Sequence, residues 1–282
     1  MKTLSSILPF LALCIVLSLF TSSAVGAEGN SSDDLFERCA KLIKQNRSTS
    51  MTAANATDAV IALGLSGNEK AVPLLVAEYE SQSNNNRRLQ VVRALGWLRF
   101  PSSLPTLEAA AGDRYQHIPK QAALAISRIK GETPTYGYSR SPAFAPGNCS
   151  ADAVIEKCTL ILTYGTTNSF DGPSKAEAAI TLGLLGNERA VPVLADHLLN
   201  EENQNLRLQI VRALGWINSR TGVLALESAL NDPYVHVRNN AAKVLQQITG
   251  KSYGYNEESD GLRSMSTLMG VDRDPLEDFG RP

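Results

Sequence analysis

RLQVVRALGW, residues 88–97, is written a second time as RLQIVRALGW, residues 207–216; only Val91, matched by Ile210, differs. The two copies are part of a longer register. At the same offset of 119 residues Cys39 meets Cys158, and Leu63-Gly64 meets Leu182-Gly183. The run Gly67 to Pro73 meets Gly186 to Pro192, Leu107-Glu108 meets Leu226-Glu227, and Tyr115 and His117 meet Tyr234 and His236. A gap-free match of the chain with itself from about 39 to 131 marks an internal duplication.

A shorter period runs inside each half. Leu63-Gly64 returns as Leu95-Gly96, 32 residues on, and Leu182-Gly183 returns as Leu214-Gly215 at the same spacing. Thirty-two residues accommodate two short helices and two turns, which is too little for a propeller blade. Apolar residues in 59–65, 71–80, 89–98, 104–111 and 118–130 fall at i, i+3, i+4 spacing, and these segments are rich in Ala and Leu. Gly67-Asn68 and Gly186-Asn187 supply residues that end helices in the left-handed conformation. Pro73 and Pro192 fall in the first turn of the helix that follows, where a missing N–H has no consequence. No stretch alternates with period two for long enough to suggest a sheet.

The spacing predicts six helices per half: 33–45, 55–65, 70–80, 87–98, 102–111 and 115–130, then the same ranges advanced by 119. Helices this short are marginal in isolation and gain stability by stacking. The expected fold is all-α, an α-solenoid of about six helical hairpins in two duplicated halves, stacked in chain order as a right-handed curve. The halves are 28–130 and 151–250. A Pro- and Gly-bearing linker, 131–150, separates them, and a polar, aperiodic tail, 251–282, is expected to be disordered.

Three segments carry a family resemblance: Ala190-Val191-Pro192-Val193-Leu194, Arg212-Ala213-Leu214-Gly215, and Val237 through Leu245. They resemble the short HEAT-like repeats of the phycobilisome-lyase type, over nearly all of 55–130 and 174–250. The resemblance implies an armadillo- or HEAT-like superhelix whose second helices line a concave face and whose Arg238 belongs to an inter-repeat ladder. It implies little about chemistry, because such repeats mainly build interaction surfaces.

On a helical wheel of the first decapeptide, Val91, Val92, Ala94, Leu95 and Leu98 cover one arc, the side expected to be buried. Gln90, Arg93 and Trp97 cluster away from its centre, and Gly96 at its edge admits a neighbouring helix. A Trp four residues after an Arg can hold a cation–π contact on one helix face. Gln90, Arg93 and Trp97, with Gln209, Arg212 and Trp216, are therefore candidate partner-binding residues. They form two flat amphipathic patches suited to an aromatic or acidic group on a protein or peptide. Three hairpins apart, the patches are expected on the order of 30 Å from each other. The competing reading makes the tryptophans covers over a seam between hairpins and the arginines structural partners of an acid in another repeat.

Catalytic ingredients are few. HEAT-like deoxyhypusine hydroxylases carry repeated His-Glu pairs that hold two irons; here none of His117, His197 and His236 is followed by Glu. No phosphate-cradling Gly loop, metal-binding Cys pair or nucleophile elbow occurs. No catalytic residue, metal or cofactor is assigned, and the alternative of an enzyme or enzyme subunit, bilin-lyase-like or of the metal-dependent hydroxylase or oxidoreductase kind, is disfavoured. The formal net charge of −1 lacks the basic excess of a nucleic-acid binder, so no nucleic-acid partner is expected.

Residues 1–27 read as a signal peptide, with Lys2, an apolar run from Ile7 to Phe20, and small residues Val25-Gly26-Ala27 before the cut. The expectation is an exported chain with no integral membrane segment after cleavage, and with Asn30, Asn46, Asn55 and Asn148 as glycosylation acceptors in a host that glycosylates. Cys39 and Cys158 sit in apolar helical patterns and read as small buried hydrophobes. Cys149, in the linker, reads as the exposed thiol.

Overall fold

The computed structural model describes residues 32–45, 53–132, 147, 149–166 and 172–254. The expected signal peptide, most of the linker, nearly all of the tail, and Asn30, Asn46 and Asn148 lie outside the described residues.

The described residues are all-α, with no strand among them. The first half contains α1 (Ser32–Gln45), α2 (Ala56–Ser66), α3 (Ala71–Ser81), α4 (Asn85–Leu98), α5 (Leu104–Ala110) and α6 (His117–Lys130). The second contains α7 (Ala151–Tyr164), α8 (Lys175–Leu185), α9 (Val191–Asn200), α10 (Gln204–Ile217), α11 (Val223–Ala229) and α12 (Val235–Thr249). Single 3₁₀ turns lead into α5, α9 and α11.

Local chemistry sets the boundaries. Asn55 caps α2 by accepting from the N–H groups of Thr57 and Asp58, and the Asp58 carboxylate accepts in return from the Asn55 N–H. Ser174 and Glu177 build the same capping box on α8. Gly67 and Gly186 close α2 and α8 in the left-handed conformation. Arg99 and Asn218 do so for α4 and α10, at φ 60° and 57°.

Consecutive helices pair as six hairpins. Their second helices then pack directly on one another, α2 on α4 on α6 and α8 on α10 on α12. The first helices touch their neighbours far less, so the second-helix layer, the more closely spaced, is the inside of the curve. Glycines permit this spacing. A Cβ built on Gly64 would lie 2.7 Å from the Ala94 Cα, and one on Gly183 2.6 Å from the Ala213 Cα. Gly96 plays the expected part against α6, where a Cβ would come within 2.6 Å of the Ala125 Cβ.

The hairpins do not stack in the expected chain order. The third hairpin does not meet the fourth: α6 has no substantial contact with α7 or α8. Instead α2 packs along α8, with α1 against α8 and α2 against α7. The two halves meet at their first hairpins, and the spatial order is 3-2-1-4-5-6. The physical reason lies in α2 and α8. Both are apolar on all sides, and every residue of α2 except Thr57, and of α8 except Lys175 and Ala176, is buried. Such a helix needs neighbours all round, and the equivalent helix of the other half completes its surroundings.

Cys39 and Cys158 are fully buried, and burial pushes each thiol up to about 12. Cys149 is half-buried. No helix among the described residues is long and apolar enough to cross a membrane.

Candidate functional site

Each trio of candidate residues lies at the contact between the halves. Arg93 extends from α4 across to the start of α8, donating through Nη1 and Nη2 to the Glu177 carboxylate at 2.8 and 3.2 Å. Its Nη1 also donates to Gln90 Oε1 at 2.7 Å, and its Nη2 lies 3.4 Å from the Gly172 carbonyl. Arg212 does the corresponding thing in the other direction. It extends from α10 to the start of α2, donating to Asp58 Oδ2 and to the Ala53 carbonyl, each at 3.2 Å, and to Gln209 Oε1 at 2.6 Å.

The acceptors obey the duplication: Glu177 is the copy of Asp58, and Gly172 the copy of Ala53. Two further cations cross the same boundary. Arg38 donates to the Leu184 carbonyl at 2.5 Å, and Lys157, its copy, to the Leu65 carbonyl at 3.1 Å. Each central helix thus receives two cations from the opposite half. One meets the carboxylate in its first turn and one meets the carbonyls of its last turn, where the helix dipole is negative. The four contacts exchange under the 119-residue shift. This is the pattern of a two-fold interface between identical partners, here joined in one chain.

The wheel places Arg93 outside the buried arc of α4. The second half then covers it, so that Arg93 is only 5% exposed and Glu177 6%. The expected cation–π contacts are present in both copies. The guanidinium carbon lies 4.8 Å from the ring centroid for Arg93 on Trp97 and for Arg212 on Trp216. Both indoles are half-buried, one edge seated where Gly64 or Gly183 lacks a side chain. Gln90 and Gln209, also half-buried, hold the guanidiniums from the other side.

The copies differ in one atom of reach. Glu177 is long enough to engage two nitrogens of Arg93, whereas Asp58, one methylene shorter, takes a single bond from Arg212. The Arg212 Nε is buried with no hydrogen-bond partner, and burial pushes the Asp58 carboxyl above its usual 3.8 against the opposing Arg212 charge. Burial likewise lowers the Lys157 ammonium from its usual 10.5.

Asp58, Glu177, Arg38 and Lys157 were not among the sequence candidates. Their signal was present: Asn55-x-x-Asp58 and Ser174-x-x-Glu177 are capping-box spacings, repeated at the common offset. What sequence does not carry is that the cap acids would also serve the opposite half.

Elsewhere the arginines form a ladder. Arg88 pairs with Asp113, which also accepts from the Tyr79 hydroxyl, and Arg207 pairs with Asp232 at 2.6 Å. Arg238, expected in this ladder, donates to the Asp232 and Pro233 carbonyls. His117 and His236 stack edge-on against Tyr115 and Tyr234. Among the described residues no three His, Cys, Asp or Glu side chains are placed to hold a metal ion.

A family profile of HEAT repeats matches residues 40–127, 162–246 and 191–268. No curated protein matches the sequence. Among solved structures, human deoxyhypusine hydroxylase in complex with glycerol is 21% identical, with a TM-score of 0.37 over 78% of this chain and 90% of that one. An engineered protein is 18% identical, with a TM-score of 0.30 over 75% and 96% of the two chains. A designed armadillo repeat protein is 13% identical, with a TM-score of 0.29 over 75% and 100%.

Proposed function

Because the chain belongs to the HEAT-repeat family, we propose that it is an exported scaffold, built of short repeats of the phycobilisome-lyase type, that binds a protein or peptide on its inner face. HEAT repeats commonly serve as protein-interaction modules, which supports a protein or peptide as the ligand. The observation that carries the choice of face is the state of the two tryptophans. Each ring lies on a guanidinium held by a buried carboxylate, so it is fixed in place while part of its surface meets solvent. Rigid aromatic groups of this kind lose little entropy on binding and make good anchors.

The charge layout favours a partner bearing acidic as well as aromatic groups. Of the six inner helices, α4, α6, α10 and α12 contain ten Lys and Arg and no Asp or Glu, and α2 and α8 carry one acid each, Asp58 and Glu177; α3, α5, α9 and α11 contain acids and no Lys or Arg. Six of those ten cations face carboxylates of the same chain, Arg87, Arg88, Arg93, Lys130, Arg207 and Arg212, and Arg238 donates to backbone carbonyls. Lys120, on α6, is exposed.

Trp97 and Trp216 are the only tryptophans in the chain, so their fluorescence reports on the site without labelling. Partners recovered from the exported compartment should shift that emission. A Trp97→Ala/Trp216→Ala variant of native helicity should lose most of their recovery. Undiminished recovery on the folded double variant rejects this site.

A further inference from the structure

We infer that the face joining the two halves is a self-recognition surface that also accepts the corresponding half of a second copy of this chain, giving a half-exchanged dimer. The geometry points to it through reciprocity. Arg93 meets Glu177 as Arg212 meets Asp58, and Arg38 meets the Leu184 carbonyl as Lys157 meets the Leu65 carbonyl. A face whose contacts map onto themselves in this way has the chemistry of a homodimer interface. Nothing in these contacts requires the two halves to belong to one chain.

The connection decides which pairing wins. Residues 133–148 join the end of α6 to the region where α7 begins. Counted along the packed helices α6, α4, α2 and α7, the ends to be joined are separated by at most about three helix spacings, ~30 Å. The 17 peptide steps from Glu132 to Cys149 reach at most ~58 Å at ~3.4 Å each. That reach exceeds the span, and joining the halves in one chain sets an effective concentration of about millimolar. Pairing within one chain dominates below that concentration. Exchange takes over when the pairing within one chain is weaker than the pairing between chains, or is out of reach.

Two full-length variants test this without touching the connection. In Glu177→Arg two arginines face each other, and in Arg93→Glu two glutamates do. Each alone should be a monomer with a lowered melting temperature. Unfolded together and refolded, they should form a 1:1 dimer, because exchange restores one native and one reversed ion pair. Light scattering after size exclusion should give twice the mass of either variant, and the melting temperature should rise above both. A chain with natural ion pairs lacking residues 134–147, whose tether then reaches only ~10 Å, should likewise run as a dimer. A mixture without the 1:1 dimer overturns the inference. So does a shortened chain that is monomeric with native helicity.

Discussion

At the residue scale the duplicated arginine explains why the decapeptide is kept twice. It joins the halves, supports an indole and is held by its own Gln, and substitution at this position affects all three. Arg212→Ala leaves Asp58 buried without its cation. Removing one partner of a buried pair costs about 3–5 kcal/mol, and the slight exposure of Arg212 argues for the lower end. The pH dependence has a definite sign. Asp58 binds its proton more tightly folded than unfolded, so its contribution is most favourable below 3.8 and is lost as pH rises through its raised native value. Without Arg212 that value rises further. The loss in Arg212→Ala should therefore be larger at pH 7 than at pH 4.5 in urea titrations, and an equal loss at both refutes the account. Asp232 runs the other way. The Arg207 hydrogen bond holds it below 3.8, so its contribution is present above 3.8 and fades as pH falls through the lowered native value. Lengthening the short acid should help: Asp58→Glu gives Arg212 the two-point grip seen at Glu177 and should add about 1 kcal/mol by urea unfolding.

At the scale of elements, close approach of the second helices depends on Gly64 and Gly183. The atom that an added Cβ meets there is backbone, Ala94 Cα or Ala213 Cα, which cannot rotate away. Gly64→Ala should cost about 1–3 kcal/mol and displace the Trp97 ring, seen as a shift in emission. Gly112→Ala serves as the contrast, since its Cβ would meet only the Ala109 carbonyl at an ordinary 3.6 Å and should leave stability unchanged or slightly raised. Equal melting temperatures for the two variants would show that helix spacing is not limited at Gly64. The six helices expected in each half form within three residues of the predicted bounds, because caps, Pro and apolar period are all local signals.

At the scale of the whole molecule, the central pair α2 and α8 ties the halves into one unit. Stacks of repeats unfold as a chain of nearest-neighbour interfaces, and cooperativity holds while each interface is strong relative to its repeats. The natural chain should show one urea transition, coincident by circular dichroism and tryptophan fluorescence. Arg93→Ala/Arg212→Ala weakens the interface at the junction and should separate the halves into two transitions. A single, merely shifted transition for that variant means the apolar packing of α2 on α8 suffices to couple them.

The sequence by itself determined the duplication, the helix count and bounds, the all-α hairpin architecture and the Arg–Trp pairing on one helix face. Each depends on residues within a turn or a period of one another. The tertiary structure alone decided that the hairpins stand in the order 3-2-1-4-5-6 and that the cap carboxylates Asp58 and Glu177 receive their cations from the opposite half. A hint was present in α2 and α8, apolar all round, against α6 and α12 with their polar faces; helices of the first kind belong in the middle of a stack and of the second at its ends. Which apolar helix would cover which depends on contacts between residues 84 and 154 positions apart, and no local pattern encodes a pairing at that range.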